Sequence, residues 1–119
     1  MTNLRRTNLN YWVALLCDDT STGLIKVANT RHYTPLIGDA RYVIKVGRKS
    51  VASGTIPVRV MPKSDAVIQI PLTKVPRGKL FDIELEIVRP APVDKYEVDA
   101  DRSHDGSVRL ARKVFRGVL

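Results

Sequence analysis

The chain is poor in the residues that build reactive or cross-linked sites. Cys17 is the one cysteine among 119 residues, so an intrachain disulfide and two-cysteine zinc ligation are both excluded. Aromatic residues make up only 6%, and histidine occurs twice, as His32 and His104. No apolar run approaches the ~20 residues of a membrane span. The apolar stretch Tyr11 to Cys17 follows Arg5 and Arg6 as in a signal peptide. It is too short, however, and Leu15 and Leu16 stand where cleavage requires small residues. This reading expects an intracellular protein, or one enclosed in a particle assembled inside a cell. No phosphate-cradling GxxxxGK[ST] loop, dinucleotide GxGxxG turn, HExxH helix or GxSxG elbow is present. The expectation is a non-enzyme with no cofactor, metal or small-molecule substrate.

What is abundant is β-branched. Fifteen Val and eight Ile stand against seven Gly and seven Pro. Stiff side chains that pack on a pleated surface, punctuated by turn formers, predict an all-β domain. Apolar content of 44% with 27% charge suits one globular domain. Expected strands run over Leu9–Cys17, Leu24–Ala28, Ala40–Val46, Val51–Val60, Val67–Leu72 and Lys79–Val88, with a weaker one around Tyr96 and Val98. Between the second and third lies a loop from Asn29 to Gly38. Tyr42, Ile44 and Val46 alternate with Arg41, Val43 and Lys45. Phe81, Ile83, Leu85 and Ile87 alternate with the acids Asp82, Glu84 and Glu86. Gly54 suggests a bulge or bend, and Pro57 an edge position or a break. About seven strands at such spacing predict a single antiparallel β-sandwich of fibronectin- or immunoglobulin-like type.

The chain's end reads two ways. Ser107 can cap a helix that places Val108, Ala111, Phe115 and Val118 on one side and Arg109, Arg112, Lys113 and Arg116 on the other. Alternatively, Ser107 to Leu110 is a last strand followed by a tail. The helix is the favoured expectation.

The net charge of +8 is unevenly placed. Residues 26–79 hold eleven Lys or Arg against Asp39 and Asp65, residues 80–105 hold eight acids against three cations, and the segment from Gly106 is basic. Such segregation suits docking against complementary neighbours, or steering toward nucleic acid. Candidate contact residues are the basic set Arg109, Arg112, Lys113 and Arg116, the pair Arg48 and Lys49, and the aromatics Trp12 and Tyr33. Tyr11 and Trp12 are adjacent, so a regular strand points them to opposite sides, one to the core and one to a partner. Tyr33 and Tyr42 offer stacking faces for nucleic acid, although no ordered basic-aromatic motif accompanies them. Asp99, Asp101, Ser103 and Asp105 fall at positions 1, 3, 5 and 7 of a calcium loop, but His104 and Leu110 replace its Gly and Glu. A polar turn is expected there.

Several short runs together carry a resemblance. They are Val27, Ala28, Asn29; Thr34, Pro35, Leu36; Tyr42, Val43, Ile44, Lys45; Val51 to Pro57 with Ala52, Ser53 and Gly54; and Val67 to Pro71. This series resembles the water-stress and hypersensitive-response (WHy) type of late-embryogenesis-abundant domain. Ser103, Gly106, Val108 and Leu110 are similar to that family's last strand, while Thr30 stands where its Pro follows Asn. The resemblance implies a two-sheet fibronectin-like sandwich without catalytic residues. The leading functional expectation is a structural or interaction subunit in a homo- or hetero-oligomeric assembly, such as a virion, touching partners through the basic segment and an exposed strand edge. The alternatives are a stand-alone stress-protective module and a nucleic-acid-binding accessory protein.

Overall fold

Two-residue alternation is the rule that organises the chain. In a computed structural model that describes residues 12–89 and 105–119, Ala40, Tyr42 and Ile44 are buried while Arg41, Val43 and Lys45 are only partly covered. Seven strands follow from such patterns: β1 Val13–Leu16, β2 Leu24–Asn29, β3 Leu36–Val46, β4 Lys49–Val60, β5 Ser64–Gln69, β6 Leu80–Arg89 and β7 Val108–Val118. One short 3-10 turn, Thr20–Thr22, sits between β1 and β2. The Asp19 carboxylate caps it, accepting from the Ser21 amide at 3.0 Å and its hydroxyl at 2.7 Å.

All pairings are antiparallel and form two sheets, β1-β2-β5 and β4-β3-β6-β7. The sheets close face to face over one apolar cluster. Ile25 and Val27 of β2, with Ile68 of β5 and Ile70 just beyond it, meet Leu36, Ile44, Val60, Phe81, Ile83, Leu85, Ile87 and Leu110 of the larger sheet. Each such side chain contributes roughly 1.5–3 kcal/mol of apolar burial. The sandwich predicted from composition and strand spacing is therefore the observed architecture.

The segment expected to be a helix is β7, an eleven-residue strand paired with β6 along its length. A register shift opposite Ile87 and Val88 explains the misleading pattern. Before the shift Val108 and Leu110 point inward; after it Phe115 does, with Ala111 opposite Ile87. The extra residue moves the apolar positions from period two toward spacings of three and four, which imitates a helix. Pairing with β6 supplies the hydrogen bonds that decide the matter.

Three further expectations shift. β3 begins at Leu36, within the expected loop, and β5 runs from Ser64 to Gln69, three residues ahead of the expected Val67–Leu72. Gly54 makes neither bend nor bulge: it pairs in register with Tyr42, and the irregularity lies opposite Ile44 and Lys45. A methyl group on Gly54 would lie 2.5 Å from the Tyr42 hydroxyl oxygen and 2.8 Å from its Cζ, so the ring lies over a bare backbone. Pro57 does occupy an edge, because β4 ends its sheet. The strand expected around Tyr96 and Val98 lies outside the described residues, as do Tyr11, His104 and most of the tested calcium segment.

Candidate functional site

The acidic side of β6 is answered within its own sheet. Asp82 accepts from Arg116 Nε at 2.8 Å and from Nη2 at 3.3 Å. Lys45 Nζ lies 3.0 Å from Glu84, and Arg109 Nε donates to Glu86 at 3.2 Å. Arg41 approaches Glu86 at 3.9 Å and grips Asp105 at 2.8 Å. All but the last are cross-strand pairs between β3, β6 and β7, which alternation places side by side, and Asp105 lies in the turn just before β7. The Arg116 guanidinium holds the Asp82 carboxyl below its ordinary value. The Arg41 guanidinium does so more strongly for Asp105, helped by the Ser107 amide at 3.0 Å.

The basic C-terminal set is accordingly divided. Arg109 and Arg116 hold β6 acids, Lys113 donates to the Leu15 carbonyl at 3.2 Å and thereby ties β7 to β1, and Arg112 remains exposed. The four share one strand without forming a single cationic face. Arg48 and Lys49 lie exposed where β3 turns into β4. Asp105, the described member of the tested calcium segment, is the Arg41 partner, and no group of three or more His, Cys, Asp or Glu gathers among the described residues. Cys17 is half-buried, with its Sγ 3.9 Å from the Thr20 hydroxyl.

The opposite end of the sandwich is built differently. Here the loop from Thr30 to Pro35 meets the β4–β5 turn at Met61–Lys63, and one buried side chain joins them. Asn29, at 1% exposure, donates through Nδ2 to the Thr34 carbonyl at 2.9 Å and the Val60 carbonyl at 3.1 Å. Its Oδ1 accepts from the Arg31 amide at 3.0 Å. Lys63 N donates to the Arg31 carbonyl at 2.9 Å, joining turn to loop. Thr30 donates twice to the Trp12 carbonyl, from its amide at 3.0 Å and its hydroxyl at 3.1 Å. Trp12 itself is buried, with the Arg31 guanidinium 4.1 Å above its ring. Trp12 thus anchors the loop from the core.

Tyr33, in contrast, is 91% exposed on that braced loop, and Met61 and Ile37 are each about half exposed nearby in the fold. Beside them a groove of about 700 Å³ opens over β3 and β4, lined by Pro35, Ile37, Asp39, Pro57, Arg59 and Arg89. Its floor includes Gly38, where a methyl group would come within 2.5 Å of the Val88 carbonyl oxygen. Sequence reasoning singled out Tyr33 and missed Asn29, Ile37 and Arg59. Extending the alternation of β3 back by two pairs would have placed Ile37 outward, on the same side as Arg41. Nothing in one sequence marks Asn29 as a three-way bond.

No helix among the described residues is long and apolar enough to cross a membrane. No protein-family model matches this chain, and no curated protein is significantly similar to it.

Proposed function

We propose that this chain is a non-catalytic structural and interaction subunit of a larger macromolecular assembly, of the kind a viral or phage particle or another multi-subunit complex represents. It acts inside the cell that builds the assembly, or within the particle. The observation that carries this reading is the braced loop end: exposed Tyr33, Ile37 and Met61 stand on backbone held by the buried Asn29 carboxamide. Fixing exposed apolar side chains on rigid backbone lowers the ordering cost of docking to a protein neighbour. Native mass determination of the chain as it is found in its source tests this. A fixed stoichiometry with larger partners supports the reading, and a monomer overturns it.

Two other readings each draw on one observation. The two antiparallel sheets, β1-β2-β5 and β4-β3-β6-β7, are in keeping with the two-sheet sandwich that the WHy resemblance implies, and they support a stress-protective module. Protection of a client enzyme through drying by the isolated monomer tests that. The exposed cations Arg48, Lys49, Lys74, Arg77 and Lys79 at the end opposite Tyr33 favour nucleic acid. Retention on nucleic acid that falls steeply with salt tests that.

A further inference from the structure

We infer that the edge of β4, which no strand covers among the described residues, is a strand-addition site for an extended, acid-flanked segment of a partner protein. This inference rests on the reading of the chain as an interaction subunit and names the surface and the chemistry of its partner. Open sheet edges pair readily with other chains, and proteins guard them with charge, brevity or proline. Three of the four edges here are guarded. β1 has four residues, β5 has six with Asp65 among them, and β7 carries Arg109, Arg112, Lys113 and Arg116. β4 is twelve residues long, its proline Pro57 guards only the end toward Val60, and Ser50 to Ile56 before it are uncharged.

The hydrogen-bonding row of that edge follows from Pro57. A proline nitrogen cannot donate, so its place opposite Asp39 turns it toward the open side. Antiparallel alternation then aims the amides and carbonyls of Thr55 and Ser53 the same way. Pairing can run back from Thr55 through Ser53 to the register shift at Val51, and Pro57 stops it at the other end. At that point the groove begins, with Pro35, Ile37 and Pro57 as an apolar lining for one side chain of the arriving segment.

Charge selects the occupant. Arg48 and Lys49 mark one end of the edge and Arg59 the other, about 33 Å apart at strand rise. Among the described residues none of the three is held in an ion pair. Asp39 lines the groove as well, beside Arg59. A second copy fits poorly, because antiparallel self-pairing would bring the Arg48–Lys49 end of one copy toward Arg59 of the other on chains of net charge +8. A segment with an uncharged centre and acids at both ends fits.

The test titrates the full chain with a synthetic peptide of about seven alternating Thr and Val, flanked at both ends by Asp and Glu. A second peptide has the same centre with Lys at both ends. The expected result is binding of the acidic peptide alone, with the amides of Ser53 and Thr55 shifted and slowed in hydrogen exchange. Thr55→Pro should weaken binding at least tenfold while the melting temperature stays within a few degrees. The charge reversal Lys49→Glu with Arg59→Glu should transfer preference to the basic peptide. Equal binding of both peptides, no binding, undiminished binding by folded Thr55→Pro, or pairing of two copies through β4 overturns the proposal. If the peptide fails while native mass still shows an assembly, only this proposal falls. If the peptide binds a chain that is monomeric in its source, only the assembly reading falls.

Discussion

Asn29 concentrates at one residue what most of the surface distributes over many. Its carboxamide satisfies one carbonyl and one amide of the Thr30–Pro35 loop and one carbonyl at the end of β4. Asn29→Ala should therefore destabilise the protein by about 2–4 kcal/mol, as buried groups are left without partners. Urea denaturation measures this. Asn29→Asp should be no better, because a carboxylate would face the Thr34 and Val60 carbonyls with no proton to donate. Gly54 supplies a second test at this scale. Gly54→Ala pushes a methyl group into the Tyr42 ring and should cost about 1–3 kcal/mol. In a Tyr42→Leu background the added cost should shrink, and a double-mutant cycle in urea reads the coupling.

β7 is the element on which two periodicities compete. As a helix, the segment would present Val108, Ala111, Phe115 and Val118 to the core and leave Leu110 on the far side. As the observed strand it buries Leu110 completely and leaves Val118 at 48% exposure. Leu110→Ala should cost about 2–5 kcal/mol, whereas Val118→Ala should stay within about 1 kcal/mol. Chemical denaturation of the two variants separates the geometries. Arg116→Ala should leave the urea midpoint nearly unchanged in spite of its two-bond grip on Asp82, because the arginine side chain is largely in water. The pairs on this face set register more than stability, since a slip by one residue would bring Phe115 outward and the cations inward.

Across the whole molecule, charge is sorted by place. The described residues hold sixteen of the twenty cations and eight of the twelve acids, so all of the net +8 resides on them. The acids Asp82, Glu84, Glu86 and Asp105 meet cations along one sheet face, while Arg48, Lys49 and Arg59 mark the ends of the open edge. This sorting makes stability depend on acid. The carboxyls of Asp19, Asp82 and Asp105 are held below their ordinary 3.8 by the Ser21 bonds, by Arg116 and by Arg41 respectively. The folded state thus binds protons less readily than the unfolded chain. Their contribution is present above about pH 4 and is lost as pH falls below it. The melting temperature should decline across that window, and Asp105→Asn should flatten the decline. High salt should weaken the same dependence.

The alternations in β3 and β6 and the Val and Ile content determined by themselves that this is an all-β chain, and Pro57 that the fourth strand either lies at an edge or breaks there. Those features are local, because side-chain direction in a strand depends only on residue parity. The conformation after Ser107 was beyond them, since a bulge opposite Ile87 and Val88 is a relation between two strands far apart in sequence. The contact role of the basic residues was equally beyond them. Arg109 and Arg116 look free in one dimension and become partners of Glu86 and Asp82 only when β7 lies against β6. Trp12 looked available for a partner until the strand order covered it, and Asn29 acquired its role only when the ends of β2 and β4 met. Pairing and burial are properties of elements brought together, and tertiary structure alone decides which groups remain at the surface.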